Sequence, residues 1–230
     1  MKVMSQAESL KYNAPSTKET SKMSTPPPVV KRAVQVRSQE TRKRFIQAVL
    51  KLSKRDSMHM VTSKNICNEV GTAWGSAQHL FGSKEFLFVE SIRYASAEFL
   101  ELCEKELLRD NYTRDDLQGL IVFLWRAANN SSAILNHEIA IACLHDGPAT
   151  TESREIISNV TTATAYLVIS TAKKLYPDAS QQSLMDILLL VETFFTGLHF
   201  RRNFTRSQVT EKKLETMANL WRLALIDIID

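Results

Sequence analysis

Apolar residues recur at three- and four-residue steps through most of this chain, which is the period of one face of an α-helix. The clearest example is the run Phe88, Ile92, Ala95, Phe99 and Leu102. Glycine and proline, the two helix breakers, number only six each among 230 residues, and three of the prolines are consecutive at positions 26–28. No stretch alternates convincingly between apolar and polar residues as a half-buried strand does. The sequence therefore predicts an all-α fold.

Positive charge is concentrated toward one end of the chain. Residues 1–36 carry six lysines and arginines against two acids, residues 37–84 carry nine against three, and residues 85–230 carry fourteen against twenty. The basic part is suited to approach a polyanion, whereas the remainder is mildly acidic. Residues 1–36 lack a helical period, so we interpret them as a disordered basic arm, either passive or reaching phosphates or a minor groove.

Capping residues and turns divide the rest of the chain. Ser38 is predicted to cap a first helix, Thr62 a short second helix, and Ser83 a long fourth helix, with a third at 73–80 that follows the turn at Gly71. Further helices are predicted at about 114–129, 133–145, 149–175, 181–202 and 207–229. We therefore predict three parts: the arm at 1–36, a three-helix domain at 37–82 and a larger helical domain at 83–230.

The three short helices have the arrangement of a helix-turn-helix, in which a glycine turn joins the second helix to the third. The third helix of such a motif lies in a DNA major groove about 12 Å wide, so it needs one buried apolar face and one face of small or hydrogen-bonding residues. Ala77, Leu80 and Phe81 are predicted to form the buried face. The outward face consists of Ala73, Trp74, Gly75, Ser76, Gln78 and His79.

The stretch from Thr62 to Leu87 resembles the DNA-binding signature of the TetR family of transcriptional regulators. The family has a capped second helix, a small pair in the third helix and a Phe-x-Ser-Lys-x-x-Leu run that opens the fourth. The matching residues are Ile66, Gly71, Gly75, Phe81, Ser83, Lys84 and Leu87, within a resemblance that covers roughly residues 40–90. The chain departs from the usual pattern at Ser53, Ser57, Trp74 and Gln78, so no relative's base preferences are carried over.

By position, the resemblance implies two sets of DNA contacts. Phosphate contacts are implied for Thr62, Gln78 and Lys84, and base contacts for Trp74, Gly75, Ser76 and His79. Gln78 alternatively reads an adenine, because its amide offers a donor and an acceptor side by side. Trp74 either packs on DNA or covers the helix-turn-helix core. The implied function is a repressor that binds a palindromic operator as a homodimer and is released by a small hydrophobic or amphipathic ligand.

The resemblance assigns two roles to the larger domain, which are subunit pairing and ligand binding. The last two predicted helices carry wide apolar faces, which are buried either in a four-helix bundle with a second subunit or within their own subunit. The predicted dimer interface comprises Leu184, Ile187, Leu188, Val191, Phe195, Leu198, Leu214, Met217, Trp221, Ala224 and Ile228. The candidate ligand-pocket residues, which core packing explains equally well, are Phe99, Cys103, Phe123, Trp125, Asn129, His137, Tyr166 and Phe194.

Other functional classes lack their sequence features. No nucleophile elbow, phosphate loop or dinucleotide fingerprint occurs, so an enzyme is the remoter alternative. Cys67, Cys103 and Cys143 fit reduced thiols, and no spacing of cysteine and histidine predicts a metal site or a cofactor. Charges interrupt the apolar stretches, so we expect no membrane partner and a cytoplasmic location. The nearer alternative is a DNA-organising or protein-regulated factor of the same fold without an inducer.

Overall fold

A computed structural model describes residues 29–56, 58–107, 113, 116–145, 150–205 and 210–229. Every regular element in this part of the chain is helical, which confirms the all-α prediction. The α-helices are α1 (Val29–Arg55), α2 (Ser63–Val70), α3 (Trp74–Phe81), α4 (Lys84–Leu107), α5 (Leu117–Asn130), α6 (Asn136–His145), α7 (Thr151–Leu175), α8 (Gln181–Thr205) and α9 (Glu211–Ile229). Short 3-10 helices at Met58–Met60 and Ala133–Leu135 precede α2 and α6.

The chain forms two compact units that alternate along the sequence. Of the described residues, unit 1 comprises those up to Ser91 together with those of Ile139–Ile156, and unit 2 comprises those of Ile92–Glu138 together with those from Ile157 onward. The divisions fall inside α4, α6 and α7, so each of these helices contributes residues to both units. The sequence-based boundary at residue 83 falls at the start of α4.

Helix α1 begins at Val29 rather than near Ser38, which corrects the predicted start. Residues 29–36 contain no glycine or proline, and extending an existing helix costs much less than starting one, so the helix continues back toward the prolines at 26–28. Ser38 therefore lies inside α1 and is exposed. The predicted arm is helical from Val29, and its residues 1–28 lie outside the described part of the chain.

The core of unit 1 is formed by α1, α2, α3 and the first turns of α4. Its fully buried side chains include Phe45, Val49, Leu52, Ile66, Leu87 and Phe88. The rings of Phe45 and Phe81 meet edge to face at 6.1 Å, which fastens α3 to α1. Ser53 is buried in α1, where its hydroxyl donates to the carbonyl of Val49 at 2.8 Å.

The core of unit 2 centres on the packing of α5 against α9. Leu120 and Ile121 of α5 and Ala218 and Trp221 of α9 are buried there. The ring of Phe194 from α8 lies 5.0 Å from that of Trp221. Helices α8 and α9 also pack against each other, so the last two helices share part of their apolar surface within one chain.

Helix α8 is more apolar than the sequence analysis allowed. Its segment Gln181–Arg201 is long and apolar enough to cross a membrane, with a mean hydropathy of 1.4 over a window of which 28% is buried. The expectation that charges within the apolar stretches rule out such a segment was therefore wrong, because Asp186 and Glu192 do not lower the average hydropathy enough. Core helices of helical proteins meet the same criterion.

Candidate DNA-binding surface and ligand cavity

Caps at both ends of α2 define the helix-turn-helix. The Thr62 hydroxyl accepts a hydrogen bond from the backbone N–H of Asn65 at 3.2 Å, as expected of an N-cap. Gly71 ends the helix with φ of 74° and ψ of 35°, and its N–H donates to the carbonyl of Cys67 at 2.8 Å. This left-handed conformation is strained for residues with a Cβ, so glycine is needed for the turn into α3.

Helix α3 has the two faces that a recognition helix requires. Ala77 and Phe81 are buried on one side, whereas Gly75, Gln78 and His79 are exposed. Trp74 and Ser76 are half-buried, and the Ser76 hydroxyl lies 3.2 Å from that of Thr72. The predicted burial of Leu80 is incomplete, because this residue lies at the edge of the buried face.

Arg42 of α1 holds the C-terminal end of α3 in place, a role that the sequence analysis missed. Its guanidinium donates to the carbonyl of Leu80 at 2.6 Å and to the carboxylate of Glu90 on α4 at 2.9 Å. The same group lies 4.5 Å from the centroid of the Phe81 ring. One side chain thus joins three helices. No sequence feature identified Glu90 as the partner of Arg42.

The start of α4 carries Lys84 as expected. The Ser83 hydroxyl accepts from the N–H of Phe86 at 3.0 Å, which confirms the predicted cap. The Lys84 ammonium lies 5.0 Å from the centroid of the Phe88 ring, within the range of a cation–π contact. A basic residue is therefore present at a helix N-terminus, an arrangement that favours anions.

The next residue of α4, Glu85, is held by the segment that precedes α7. Its carboxylate accepts from the N–H and the hydroxyl of Thr150 at 2.9 and 3.2 Å. The pKa of Glu85 is held below its ordinary value mainly by a hydrogen bond from the Ser153 hydroxyl, and to a smaller extent by the one from the Thr150 N–H. The Cys143 thiol of α6 lies 3.9 Å from the Glu85 carbonyl. Cys143, Thr150 and Ser153 therefore contact the start of α4 directly.

The cations of the basic segment fall into two groups. Arg42, Arg44 and Lys51 bind protein groups, since Arg44 donates to the carbonyl of Val70 and Lys51 pairs with Glu69. The exposed cations include Arg37, Lys43 and Lys64. Part of the positive charge thus stabilises unit 1, and part is available at its surface.

Unit 2 contains a cavity of about 780 Å³, lined by residues of α4 to α9 and of the Ala133–Leu135 helix. Two of the eight candidate pocket residues, Phe99 and His137, line it. The volume is in the range of sites for small organic ligands, and most of the lining is aliphatic or aromatic. The structure therefore contains a cavity but assigns it a largely different lining from the one predicted.

The other six candidates lie elsewhere, because side-chain directions on packed helices depend on the neighbouring helix. Cys103 is buried in the core, where burial raises the pKa of its thiol to about 12. Trp125 stacks on Phe195, Asn129 donates to the Trp125 carbonyl, Phe123 packs against the core, Phe194 packs on Trp221, and Tyr166 is exposed. None of these six residues lines this cavity.

Polar groups of the cavity lining cluster near α6. The Asn136 amide nitrogen donates to the Ser96 hydroxyl at 2.7 Å, whereas the Asn136 amide oxygen is buried and has no hydrogen-bond partner. His199 is buried, and its Nε2 lies 2.8 Å from a carboxylate oxygen of Glu138. Nowhere in the described residues do three or more histidine, cysteine or acidic side chains meet closely enough to hold a metal ion.

Most predicted dimer-interface residues are buried within a single chain. This group comprises Leu184, Ile187, Leu188, Leu198, Leu214 and Trp221, and it corresponds to the intramolecular alternative. Val191 and Phe195 line the cavity, Met217 is half-buried, and the side chains of Ala224 and Ile228 lie outside the described part of the chain. The large apolar residues that α8 and α9 expose are Met185, Leu189, Phe200 and Leu220.

No protein-family model matches the sequence, and no curated protein matches it. Solved structures are similar in fold. A Mesorhizobium loti protein described as a TetR-family transcriptional regulator has a TM-score of 0.61 and 17% identity over 84% of this chain and 98% of that chain. A TetR-family member of Streptomyces coelicolor has a TM-score of 0.55 and 17% identity, over 83% of this chain and 99% of that chain. The transcriptional regulator FadR of Bacillus subtilis, in complex with stearoyl-CoA, has a TM-score of 0.56 and 15% identity, over 82% of this chain and 99% of that chain.

These likenesses extend over both units, although the resemblance in sequence is confined to residues 40–90. They agree with the signature in the helix-turn-helix and with the all-helical remainder. The chain has the fold of the TetR-family transcriptional regulators.

Proposed function

We propose that this protein is a transcriptional regulator, and specifically a repressor, that inserts α3 into the major groove of operator DNA. The observation that carries the proposal is the two-sided character of α3. Ala77 and Phe81 are buried, while Gly75, Gln78 and His79 are exposed on a unit rich in surface cations. A helix without a Cβ at Gly75 can approach base edges closely, and Gln78 and His79 supply hydrogen-bonding groups.

Phosphate contacts supply most of the affinity in this proposal. Lys84 at the start of α4 and Lys43 of α1 are the cations proposed to neutralise phosphates. Thr62 and Ser76 contribute hydroxyls, and Trp74 remains a proposed base or sugar contact. Arg42 acts indirectly, because it fixes the C-terminal end of α3 against α1 and α4.

The operator is proposed to be palindromic and the protein a homodimer. Helix α8 is strongly apolar yet mostly unburied in one chain, and Leu189 and Leu220 are 64% and 62% exposed. A second copy that covers these residues would remove apolar surface from water and place two copies of α3 on one duplex. This dimer surface differs from most of the interface residues proposed from the sequence. Because a second copy would cover the apolar side of α8, the proposal favours a location in the cytoplasm over one in a membrane.

The cavity supports release by a small apolar or amphipathic molecule. Ser96 and Phe99 of α4, Asn136 and His137 of α6 and Thr164 of α7 line it. These three helices also contribute residues to unit 1. A ligand that binds more tightly to a conformation unable to hold DNA would shift the population away from the operator complex. FadR, solved with stearoyl-CoA, shows that a protein of this fold binds such a molecule.

Selection of bound duplexes from random DNA, followed by anisotropy titrations at about 50 to 300 mM salt, tests the proposal. We expect a palindromic site and strongly salt-dependent affinity. Lys84→Gln should weaken binding to all duplexes and reduce the salt slope by about one. Gln78→Ala should change the preferred sequence at one position of each half-site.

Lys105→Gln is the matched control, because Lys105 is exposed on the same helix but belongs to unit 2, where it pairs with Glu101 at 2.7 Å. Its affinity and salt slope should equal those of the unmodified protein. Absence of salt-dependent binding to any duplex would contradict the proposed function. If Lys105→Gln reduced the slope of affinity against salt concentration by about one and Lys84→Gln did not, the proposed docking would be contradicted.

A further inference from the structure

The cavity of unit 2 is open along one helix. Most of its lining is buried or half-buried, but the lining residues that are exposed concentrate on α8. These residues are Leu189, Glu192, Thr193, Thr196, Gly197 and Phe200. From the other helices of the described chain, the exposed lining residues are His137 of α6 and Thr161 of α7. A residue that lines a cavity and is also exposed belongs to its mouth, so the mouth of this cavity runs along α8.

One chain by itself leaves this mouth uncovered. Leu189 and Phe200 mark its two ends, and the eleven residues between these positions correspond to about three helical turns, which places both on the same face of α8. They are 64% and 58% exposed. Pockets for organic ligands usually bury about 70–90% of the ligand surface, whereas an apolar molecule in this cavity would meet water along the whole mouth. The site formed by one chain is therefore incomplete.

The mouth coincides with the surface proposed for the dimer, to which Leu189 and Leu220 belong. An interface around a two-fold axis uses the same patch on both copies. An antiparallel pair of α8 helices would therefore set Leu189 of one chain against Phe200 of the other, so that each mouth receives large apolar side chains at both ends. This pairing would also cover the segment Gln181–Arg201, of whose most apolar window only 28% is buried in one chain.

We propose that the second copy of the chain completes each cavity, with its Leu189 and Phe200 closing the mouth, and that the cavity consequently binds its ligand more tightly in the dimer than in the monomer. The proposal rests on the proposed dimer and on the proposed role of the cavity as a ligand site. Because linkage is reciprocal, the ligand must also strengthen the dimer. Each dimer has two cavities, so saturation should lower the dimer dissociation constant by the square of the gain in ligand affinity.

N-phenylnaphthylamine, an uncharged fluorescent molecule whose emission rises in apolar surroundings, serves as the probe. It is titrated into the full-length protein without DNA, at protein concentrations below and above the dimer dissociation constant, which sedimentation velocity measures. We expect the probe to bind the dimer about tenfold or more tightly than the monomer, and saturating probe to lower the dimer dissociation constant about a hundredfold.

Three variants separate the dimer from the cavity. Leu220→Lys changes an exposed residue outside the lining, and by dissociating the chains it should reduce the probe affinity to that of the monomer although the whole lining is retained. Tyr166→Lys, which is also exposed and outside the lining, is the matched control and should change neither quantity. Val168→Trp introduces an indole at a lining position, so it should weaken probe binding and leave the dimer formed without probe unchanged.

Alkylation decides the matter for a dimer that does not dissociate at any accessible concentration. In a Cys67→Ser background the two remaining cysteines, Cys103 and Cys143, are buried, so an introduced thiol is the accessible one. Thr196→Cys in the mouth should react with N-ethylmaleimide about tenfold or more slowly than Tyr166→Cys, although both positions are exposed in one chain.

Equal probe affinities of monomer and dimer, a protein that stays monomeric with and without probe, absence of probe binding, undiminished binding in Val168→Trp, or equal alkylation of the two thiols in the dimer would each overturn the proposal. A dimer that binds operator DNA but shows equal probe affinities would leave the proposed regulator standing. Coupled probe binding in a protein that binds no duplex would reject the regulator and leave the completed cavity standing.

Discussion

The Arg42 guanidinium lies 2.9 Å from the carboxylate of Glu90, and the exposed fractions of the two side chains are 33% and 5%. The pair therefore joins a partly solvated cation on α1 to a buried anion on α4. Because the same guanidinium also donates to the last turn of α3, the position of α3 depends on an ion pair between two other helices.

Arg42→Met should lower the free energy of unfolding by about 2–4 kcal/mol, since it removes the cation that compensates a buried carboxylate. Urea unfolding measures this loss. DNA affinity should also fall, because α3 loses the donor at Leu80. Lys51→Met is the control, since the Lys51–Glu69 pair is exposed at the lysine and should contribute less than about 1 kcal/mol. Equal losses in the two variants would contradict the role given to Arg42.

Gly75→Ala should separate stability from DNA binding. A Cβ at Gly75 meets nothing within 4 Å, so alanine should raise the stability of α3 by up to about 1 kcal/mol. The added methyl group should nevertheless weaken operator binding about tenfold or more if this face enters the groove. Gly119→Ala on α5, which is equally open, is the control and should stabilise the protein without changing DNA affinity. Undiminished affinity in Gly75→Ala would argue against insertion of this face.

The contribution of Glu85 should depend on pH. Its pKa is lowered in the folded state, so its carboxylate stabilises the fold at neutral pH, and this stabilisation is lost as pH falls through the folded-state pKa. The difference in unfolding free energy between the unmodified protein and Glu85→Gln should therefore shrink between about pH 6 and pH 3. Urea titrations at several pH values measure it. A difference that stays constant with pH would show that the carboxylate charge plays no part.

Leu220→Lys, at an exposed position of α9, should dissociate the proposed dimer. The substitution occurs twice in a symmetric interface, so the dimer dissociation constant should rise by about 100-fold or more. Sedimentation velocity measures it. Tyr166→Lys, at an exposed position of α7, should leave the association unchanged. If the Leu220→Lys protein has the mass of the unmodified protein at all concentrations, this surface is not the interface.

Local features of the fold were predictable because they depend on a few neighbouring residues. The Thr62 and Ser83 caps, the Gly71 turn and the exposure of Gly75, Gln78 and His79 all follow from residue type and helical period. The start of α1 was not predictable from Ser38, because a good capping residue does not end a helix whose preceding residues can continue it.

The cavity was harder to predict, since its lining depends on how six helices pack. Phe99 and His137 were identified, but Trp125 and Phe194 use their rings to pack on other aromatic residues. Asn136, which also lines the cavity, carries no sequence signal, because its hydrogen bond is made to Ser96, forty residues away in the chain.

The interleaving of the two units has a consequence for the evolution and engineering of such a protein. Unit 1, which is proposed to contact DNA, cannot be exchanged by joining two sequences at residue 83, because Thr150 and Cys143 belong to it and contact Glu85. A chimera that acquires new operator preferences must therefore inherit residues 139–156 along with the N-terminal helices, or else adapt that segment afterwards.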